Sequence, residues 1–505
     1  MSAYPELKPA PLHQMPSPIL ASSSVSRLSL LGSALILASC ASMSVDAPSA
    51  LAQANAAMGG GNVKSLQFEG TGTGGIFGQA YQPGMAWPKV KVSAFNRVMD
   101  YEGASLRQDQ AISRAEPTGG GAVPLMGTGE QRSTGLLKGD KAWNMAGPAP
   151  AAAPLTVAGR VHDLWTSPHG VIKAAMKNGA SARKVEVDGR PMTAVSFAQA
   201  GVFTATAYLN GDNLVERVDS VQPNPVMGDT ATTTWYQYYK SFDGVQFPLQ
   251  IRQEMGGYEV LDLNVTNVTV NTAPALEVPA LVNAFAENVA STKVADGVWF
   301  LGGGSHNSVL LEMADHLMLV ESPLYDGRAS AVLAEIKKLS NKPLRYVVNS
   351  HHHFDHAGGL RTAVADGAEI IASGQARPYL ERIFANGNTV APDMLQKSGK
   401  RATVSGVDGK RVFSDTGRTV EVYFIQDSVH AAGFNMVYLP KEKLLIEADA
   451  YTPGAPNAPA PATPNANHVN LVQNIDRLKL SVERILPLHG RVVAMAELNT
   501  AVGRK

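Results

Sequence analysis

Residues 350–359 read Ser-His-His-His-Phe-Asp-His-Ala-Gly-Gly. Within them His351, His353, Asp355 and His356 place four metal-capable side chains in six positions. Imidazole with carboxylate suits Zn²⁺, and Mn²⁺ or Fe²⁺ less exclusively. An affinity tag would lack the Asp and would sit at a terminus. The preceding segment, Leu344 to Asn349, reads as a short strand. The following one, Ala357 to Ala365, reads as a helix opened by Gly358-Gly359. The four side chains then lie on a strand-to-helix turn, where they converge instead of spreading over the faces of a regular element. His352 points away from its neighbours if the turn is extended. It is expected beside the ligands or at the surface.

Three later residues complete a set of seven. His430 follows a strand-like segment, Val420 to Ile425, and the loop Gln426-Asp427-Ser428. Asp449 ends the run Leu444 to Ala448, after a turn at Pro440-Lys441-Glu442-Lys443. His489 sits in Leu486-Pro487-Leu488-His489-Gly490, after a helix expected over Leu471 to Arg484. Each lies just beyond an apolar run, and strand ends are where α/β-type folds gather functional groups. A closed structural zinc site takes four ligands, whereas seven candidates leave positions for water and substrate. No Cys lies in this region, which excludes a zinc finger or an iron–sulfur cluster there. Two divalent cations sharing a carboxylate can share a water and bring its pKa from about 16 towards 7. That chemistry serves hydrolysis of acyl or phosphoryl bonds at neutral pH.

On these residues the C-terminal portion, Val294 to Arg504, resembles the metallo-β-lactamase fold superfamily. The resemblance implies an αββα sandwich with two metals at one edge. It implies that His351, His353 and His430 hold the first metal, that Asp355, His356 and His489 hold the second, and that Asp449 bridges them. This is a glyoxalase-II-like dinuclear ligand set. The implied cofactor is a pair of Zn²⁺ ions, with iron or manganese as alternatives. Asp355 is also the expected catalytic residue, steering the bound hydroxide or carrying a proton. Gly297 to Glu321 fits the family's entry hairpin, with strands Asn307 to Glu312 and His316 to Glu321 around Met313-Ala314-Asp315. Glu321-Ser322 departs from the Asp-Thr or Asp-Ser often found there. A bridging Asp449 resembles thioesterases, lactonases and phosphoesterases of the superfamily, since true β-lactamases usually place Cys there or leave the bridge out.

The expected function is an exported, metal-dependent hydrolase of a small-molecule ester, thioester, lactone or amide-like bond. Two other readings stay open. One is a mononuclear iron dioxygenase of sulfur compounds with the same fold. The other is a lipid- or apolar-ligand-binding lipoprotein with a vestigial metal site. The segment between Tyr451 and His468 is too Pro-rich for a helix. It is expected as a wall or lid over the site, or as a surface loop.

The other end of the chain speaks to location. Arg27 precedes an apolar stretch, Leu28 to Ala38, of secretory length and too short to span a bilayer. It ends in Leu37-Ala38-Ser39-Cys40, which resembles a bacterial lipobox, and Cys40 is the one cysteine of 505 residues. The expectation is a lipidated Cys40 and a periplasmic or outer-membrane-anchored protein. Cleavage after Ala50-Leu51-Ala52 is the alternative, and Met15 an alternative start. With one cysteine, no intramolecular disulfide can form. Lys and Arg number 43 and Asp and Glu 43. That balance gives no support to nucleic-acid binding driven by net charge. Oligomeric state is not legible.

A chain of this length exceeds one core. The breaks Gly59-Gly60-Gly61, Gly119-Gly120-Gly121 and Pro148 to Pro154 punctuate it. The expected division is 1–61 as signal or lipoprotein segment and flexible linker, 62–279 as an antiparallel β-rich domain, 280–293 as a helical linker and 294–505 as the catalytic domain. Val63 to Gly70, Lys89 to Tyr101 and Leu261 to Val270 read as strands. Phe203 to Leu209 and Leu214 to Ser220 flank Asn210-Gly211-Asp212-Asn213, a hairpin signal; Thr233 to Tyr239 and Val245 to Gln253 form another pair. Helices are expected near Leu155 to Leu164, Val171 to Asn178 and Leu281 to Ser291. His162 and His169 lack ligand spacing and read as surface or helix-end residues. The run Trp235-Tyr236-Gln237-Tyr238-Tyr239 with Phe242-Asp243-Gly244-Val245 and Phe247-Pro248 is loosely similar to lipoprotein-carrier and sorting half-barrels. That similarity implies a curved sheet with one apolar concave face, able to hold a lipid or dock on the catalytic domain.

Overall fold

The computed structural model describes residues 44–115, 129–273 and 275–504. The apolar stretch 28–38, Met15, Cys40 and the glycine break at 119–121 lie outside the described residues. Among the described residues, no helix is long and apolar enough to cross a membrane.

The N-terminal half builds one antiparallel sheet of fourteen strands. The late strand Tyr258–Val270 pairs with the early strand Ser65–Gly75, Val270 opposite Leu66, so the sheet runs unbroken from Ser44–Val45 to Ala149–Ala152. It is strongly curved. Helix Val157–Thr166 touches Val215–Asn224 and also Ser105–Arg114, Gln131–Lys138 and Lys141–Ala146. Val215–Asn224 and Lys141–Ala146 are the fifth and thirteenth strands in sheet order. Eight spacings would be about 38 Å if the sheet were flat, against a ten-residue helix about 15 Å long. The sheet must wrap the helix. The curved sheet therefore agrees with the half-barrel similarity, but its apolar face is filled by the chain itself. Leu51, Ala54, Leu164, Val171 and Ile172 from helices Ala47–Ala57, Val157–Thr166 and Pro168–Lys177 pack against Phe68, Phe95, Phe203 and Phe247.

Three expectations are corrected here. Residues 44–61 are not a flexible linker. Asp46 caps helix Ala47–Ala57 by accepting from the Ser49 amide at 2.9 Å, and Pro48 favours the first turn. Leu51 and Ala54 are buried, so cleavage after Ala52 would cut a packed helix. His162 and His169 are buried, not at the surface. They pair with Ser220 Oγ at 2.8 Å and the Met58 carbonyl at 3.1 Å. The helix expected over 281–291 shrinks to Ala280–Asn283, and a strand Ala290–Ala295 follows.

The C-terminal half packs two sheets face to face between helices. Seven strands run in chain order from Ala290–Ala295 to Val404–Val407, and six from Lys410–Ser414 to Val493–Ala494. Central strands are apolar on both sides, as a sandwiched sheet requires. Val309, Leu311, Met318 and Val320 meet Val420, Val422, Val437 and Ile446 between the sheets. Leu310, Leu317 and Leu319 face helices Asp326–Leu339, Leu360–Asp366 and Arg377–Ala385. This is the αββα sandwich. The helix expected over 471–484 begins earlier, at Ala466 after the Asn465 cap, and ends at Arg477. Lys479 then adopts φ +54°, and Arg484–Pro487 forms a strand parallel to Leu444–Glu447. Leu478, Leu480 and Val482 continue the apolar pattern because they pack on the same core from a loop.

Burial holds the His169 pKa down at about 4, with a further small push from Lys173, against its hydrogen bond to Met58. The folded state then keeps His169 neutral while the unfolded chain protonates below about 6.5. Stability is full above that value and falls as pH drops towards 4, by up to about 3 kcal/mol from this group. Urea unfolding at pH 7 and pH 4.5 should show a smaller acid loss in His169→Gln than in the native chain.

Candidate metal centre

Strand direction brings the seven candidates to one edge. His351 follows Leu344–Val348. His430, Asp449 and His489 follow Thr419–Phe424, Leu444–Glu447 and Arg484–Pro487. The last two strands are parallel, and Thr419–Phe424 reaches the same direction through the intervening Asn435–Leu439. Their C-terminal ends therefore share an edge. At the ligand turn His353 is extended, with φ −60° and ψ 147°, and caps the short helix Phe354–Ala357. His351 and His353 thus project together, ring centroids 4.4 Å apart, and His356 follows one turn later.

The side chains form two adjoining groups. The first holds His351, His353, His430 and Asp449, and the second holds Asp355, His356 and His489 together with His306. His430 Nε2 lies 3.1 Å from His351 Nε2 and 2.9 Å from Asp449 Oδ2. His489 Nε2 lies 3.2 Å from His356 Nε2 and 2.8 Å from Asp449 Oδ1. His356 Nε2 is 3.2 Å from Asp449 Oδ1 and 3.5 Å from Asp355 Oδ2. Two metal–ligand bonds of 2.0–2.1 Å at a tetrahedral angle separate donor atoms by about 3.3 Å. The spacing is therefore that of donors around a common point. Asp449 faces one group with each oxygen, and four imidazoles stand nearby without a well-aligned N–H donor to either oxygen. A buried carboxylate needs positive charge beside it, and a cation seated among these ring nitrogens supplies it. These residues fit a divalent metal pair.

The outer nitrogens fix which atom each ring presents. Ser350 Oγ donates to Glu321 Oε2 at 2.7 Å and so accepts from His351 Nδ1 at 2.9 Å. His356 Nδ1 donates to Glu321 Oε2 at 2.6 Å, and His489 Nδ1 donates to the Ser305 carbonyl at 3.0 Å. Each therefore turns Nε2 inwards. His353 is reversed: Nε2 donates to the Ala80 carbonyl at 3.0 Å, and buried Nδ1 has no partner. Such outer hydrogen bonds orient metal-ligating imidazoles. His352 falls in neither group. It is buried, not at the surface, and donates to the same Ala80 carbonyl at 2.8 Å.

The electrostatics divide the ligands. Burial holds His351 and His353 well below the ordinary histidine range, which keeps them neutral lone-pair donors. Burial also opposes charge on His356, but Asp449, Asp355 and Glu321 outweigh it and raise its pKa well above normal. A cation would take the place of that proton. Burial alone would raise Asp355 and Asp449. His356 and His306 beside the first, and His356 and His430 beside the second, reverse this and hold both low.

Two contributors were not legible as such in the sequence. Glu321 is fully buried and takes the Ser350 amide and Ser350 hydroxyl, the Asn349 amide group and His356. Its φ of +71° is strained for a side-chain-bearing residue, so the backbone is bent to deliver the carboxylate. His306 Nε2 stands 3.2 Å from Asp355 Oδ2. It sits in the loop before Ser308–Glu312, whose start shares the ligand edge, and Arg328 holds that loop through the His306 carbonyl at 2.9 Å. The sequence signal was Gly303-Gly304-Ser305-His306-Asn307 just ahead of a strand.

Residues 301–484 match the model of the metallo-beta-lactamase superfamily. The linear primary-alkylsulfatase of Pseudomonas sp. (strain ATCC 19151) is 27% identical over 223 residues, 37% of this chain and 42% of that protein. The chain thus spans about two fifths of the length of this curated relative. Among solved structures, a metallo-beta-lactamase from Pontibacter korlensis is 17% identical and covers 43% of this chain and 98% of its own, with a TM-score of 0.34. The metallo-beta-lactamase FIM-1 from Pseudomonas aeruginosa, in its mono-zinc form, is 17% identical over 43% of this chain and 95% of its own, with a TM-score of 0.33.

Replacing Glu321 by Gln removes the charge behind His356 while keeping the volume. Metal retention after dialysis against a chelator should fall about 10–100-fold, the usual loss for such an outer partner. Elemental analysis of the dialysed protein reads it.

Proposed function

We propose that the C-terminal portion, a member of the metallo-β-lactamase superfamily through residues 301–484, is a dinuclear metal-dependent hydrolase of small-molecule esters. The observation that carries this reading is Asp449, whose two buried oxygens each face one histidine group. When bound, a pair of divalent cations supplies a lowered water pKa and Lewis-acid polarisation of the scissile oxygen. His351, His353, His430 and Asp449 would hold the first cation. Asp355, His356, His489 and Asp449 would hold the second, with zinc the proposed metal. Asp355 is the proposed proton carrier, because its side chain is 18% exposed while the first group is closed. His489 and His306, 12% and 10% exposed, line the same opening, so substrate reaches the site from this side.

The relative that hydrolyses, by its name, a primary alkyl sulfate brings sulfate esters into the substrate range beside carboxylic esters, thioesters and lactones. Export through the N-terminal segment, with a lipidated Cys40, is a separate part of the proposal. Intact mass of the mature chain from a bacterial host tests it: a diacyl or triacyl addition lost in Cys40→Ala supports it, and an unmodified chain starting at Met1 or Met15 refutes it.

The hydrolase reading is tested by metal content together with turnover of chromogenic carboxylic, thio- and sulfate esters, lactones and a β-lactam. The expected result is about two metal equivalents per chain and activity on at least one ester class, abolished by chelation. Asp449→Ala should lower turnover by 10³-fold or more with unchanged circular dichroism. Unaltered activity in that variant would mean that Asp449 bridges nothing. One iron and negligible zinc, with thiol-dependent oxygen uptake, would assign the chain to oxygenase chemistry instead.

A further inference from the structure

The connection between strands Ser65–Gly75 and Lys89–Asp100 runs over residues 76–88. Hairpin loops usually take about two to five residues, so this one is long. It leaves the N-terminal sheet and lies across two ligand turns of the C-terminal half. The Gly78 carbonyl accepts from the Phe354 amide at 3.1 Å, and the Tyr81 carbonyl accepts from the Ala432 amide at 2.8 Å. The Tyr81 hydroxyl donates to the Ser428 carbonyl at 2.8 Å. Phe77 and Trp87 set their rings edge-on to Phe354, with centroids 5.2 and 5.8 Å away. Gly78 has φ +84°, and a Cβ there would stand 2.6 Å from the Phe354 ring. The backbone is therefore seated as closely as it can be.

Packing explains the docking but not what the next two residues do. Gln79 donates from Nε2 to Asp355 Oδ1 at 2.8 Å, and that is the one hydrogen bond of its side chain among the described residues. Oδ2 is left facing His356 and His306. Ala80 offers its carbonyl to His353 Nε2, which leaves Nδ1 as the inward atom. Among the described residues, no group of the C-terminal half takes either of these places. The carboxylate plane of one ligand and the ring orientation of another are set from the N-terminal sheet.

We propose that the 76–88 segment is a built part of the metal centre, in which Gln79 is a positioning residue that orients Asp355 for the second cation. This rests on the dinuclear reading above. A neutral amide donor suits the task. It pins one oxygen without adding charge, whereas Lys or Arg there would compete with the cation for the carboxylate. The inference gives the sheet domain a role that a spacer would not have.

The test is metal titration of the full-length apoprotein in competition with a chromogenic chelator, for the native chain, Gln79→Leu and Gln79→Ala. Leu keeps the volume and loses the donor. Co²⁺ absorption provides a second, activity-free readout of ligand geometry. The expected result is that one of two metal equivalents weakens about 10–100-fold in both variants while the other is unchanged, with an altered Co²⁺ band for the weakened site and an unshifted melting temperature of the apoprotein. Two equivalents of native affinity in both variants would overturn the inference. Equal weakening of both equivalents with a lowered apoprotein melting temperature would also overturn it, since that is the signature of a brace. A native chain that binds fewer than two equivalents would instead bring down the dinuclear reading itself.

Discussion

Asp449 sets the terms for the C-terminal half. A carboxylate buried at the end of a fully buried strand is tolerable only opposite positive charge. The chain answers with imidazoles, which can be neutral donors or cations as the site requires. His351 and His353 are held neutral by burial, while His356 sits among three carboxylates and is driven the other way. Without a metal, the pocket would rely on a proton to offset that negative charge. A cation pair between the two groups relieves the same imbalance with better-placed charge. The polar cluster is in this sense a folding liability unless loaded, and its burial at the edge of two apolar sheets makes it a demanding one.

The sandwich supplies what such a cluster needs, a rigid edge. Four candidate-bearing turns leave strands whose inner faces are packed in the core, so the turns inherit the register of that core. The hydrogen bonds behind the rings then remove the remaining freedom. Ser350, Glu321 and the Ser305 carbonyl each hold an outer nitrogen. The strained backbone at Glu321 belongs to this arrangement. A strand continuing in ordinary geometry would carry the carboxylate to a face, whereas the left-handed residue turns it back under the ligand loop.

The clustering of the candidate ligands was legible because their spacing is local. Alternation in an extended turn and one helical turn relate His351, His353 and His356 regardless of the rest of the fold. His430, Asp449 and His489 were found by a weaker rule, that functional groups follow strands, and the strands at 419–424, 444–447 and 484–487 place them on one edge. Strand pairs flanking Asn210–Asn213 and Ser241–Gly244 were legible from turn chemistry for the same local reason. What was not legible depends on distant pairing. His162 and His169 looked like surface residues because nothing nearby shows that a sheet closes around their helices. Residues 44–61 looked like linker because they end in Gly59-Gly60-Gly61, although Ala-rich composition and the Asp46 cap favour a helix. The contacts of Gln79 and Ala80 span more than 270 positions of sequence, and only an unusually long hairpin connection hinted at them.

The site is also asymmetric, and the asymmetry bears on how such a chain comes to differ from its relatives. The group around His430 is closed, and the group around His489 opens to solvent at Asp355 and His306. Two loops flank that opening. One carries Gly303 to His306 and belongs to the matched family region; the other, 76–88, belongs to the sheet domain outside it. A sandwich edge fixes the side chains that leave its strands, while loops around it are free to vary. Here part of the rim comes from the N-terminal sheet, seated on Phe354 between the candidate ligands His353 and Asp355. The sheet thus delivers Gln79 to Asp355 and the Ala80 carbonyl to His353.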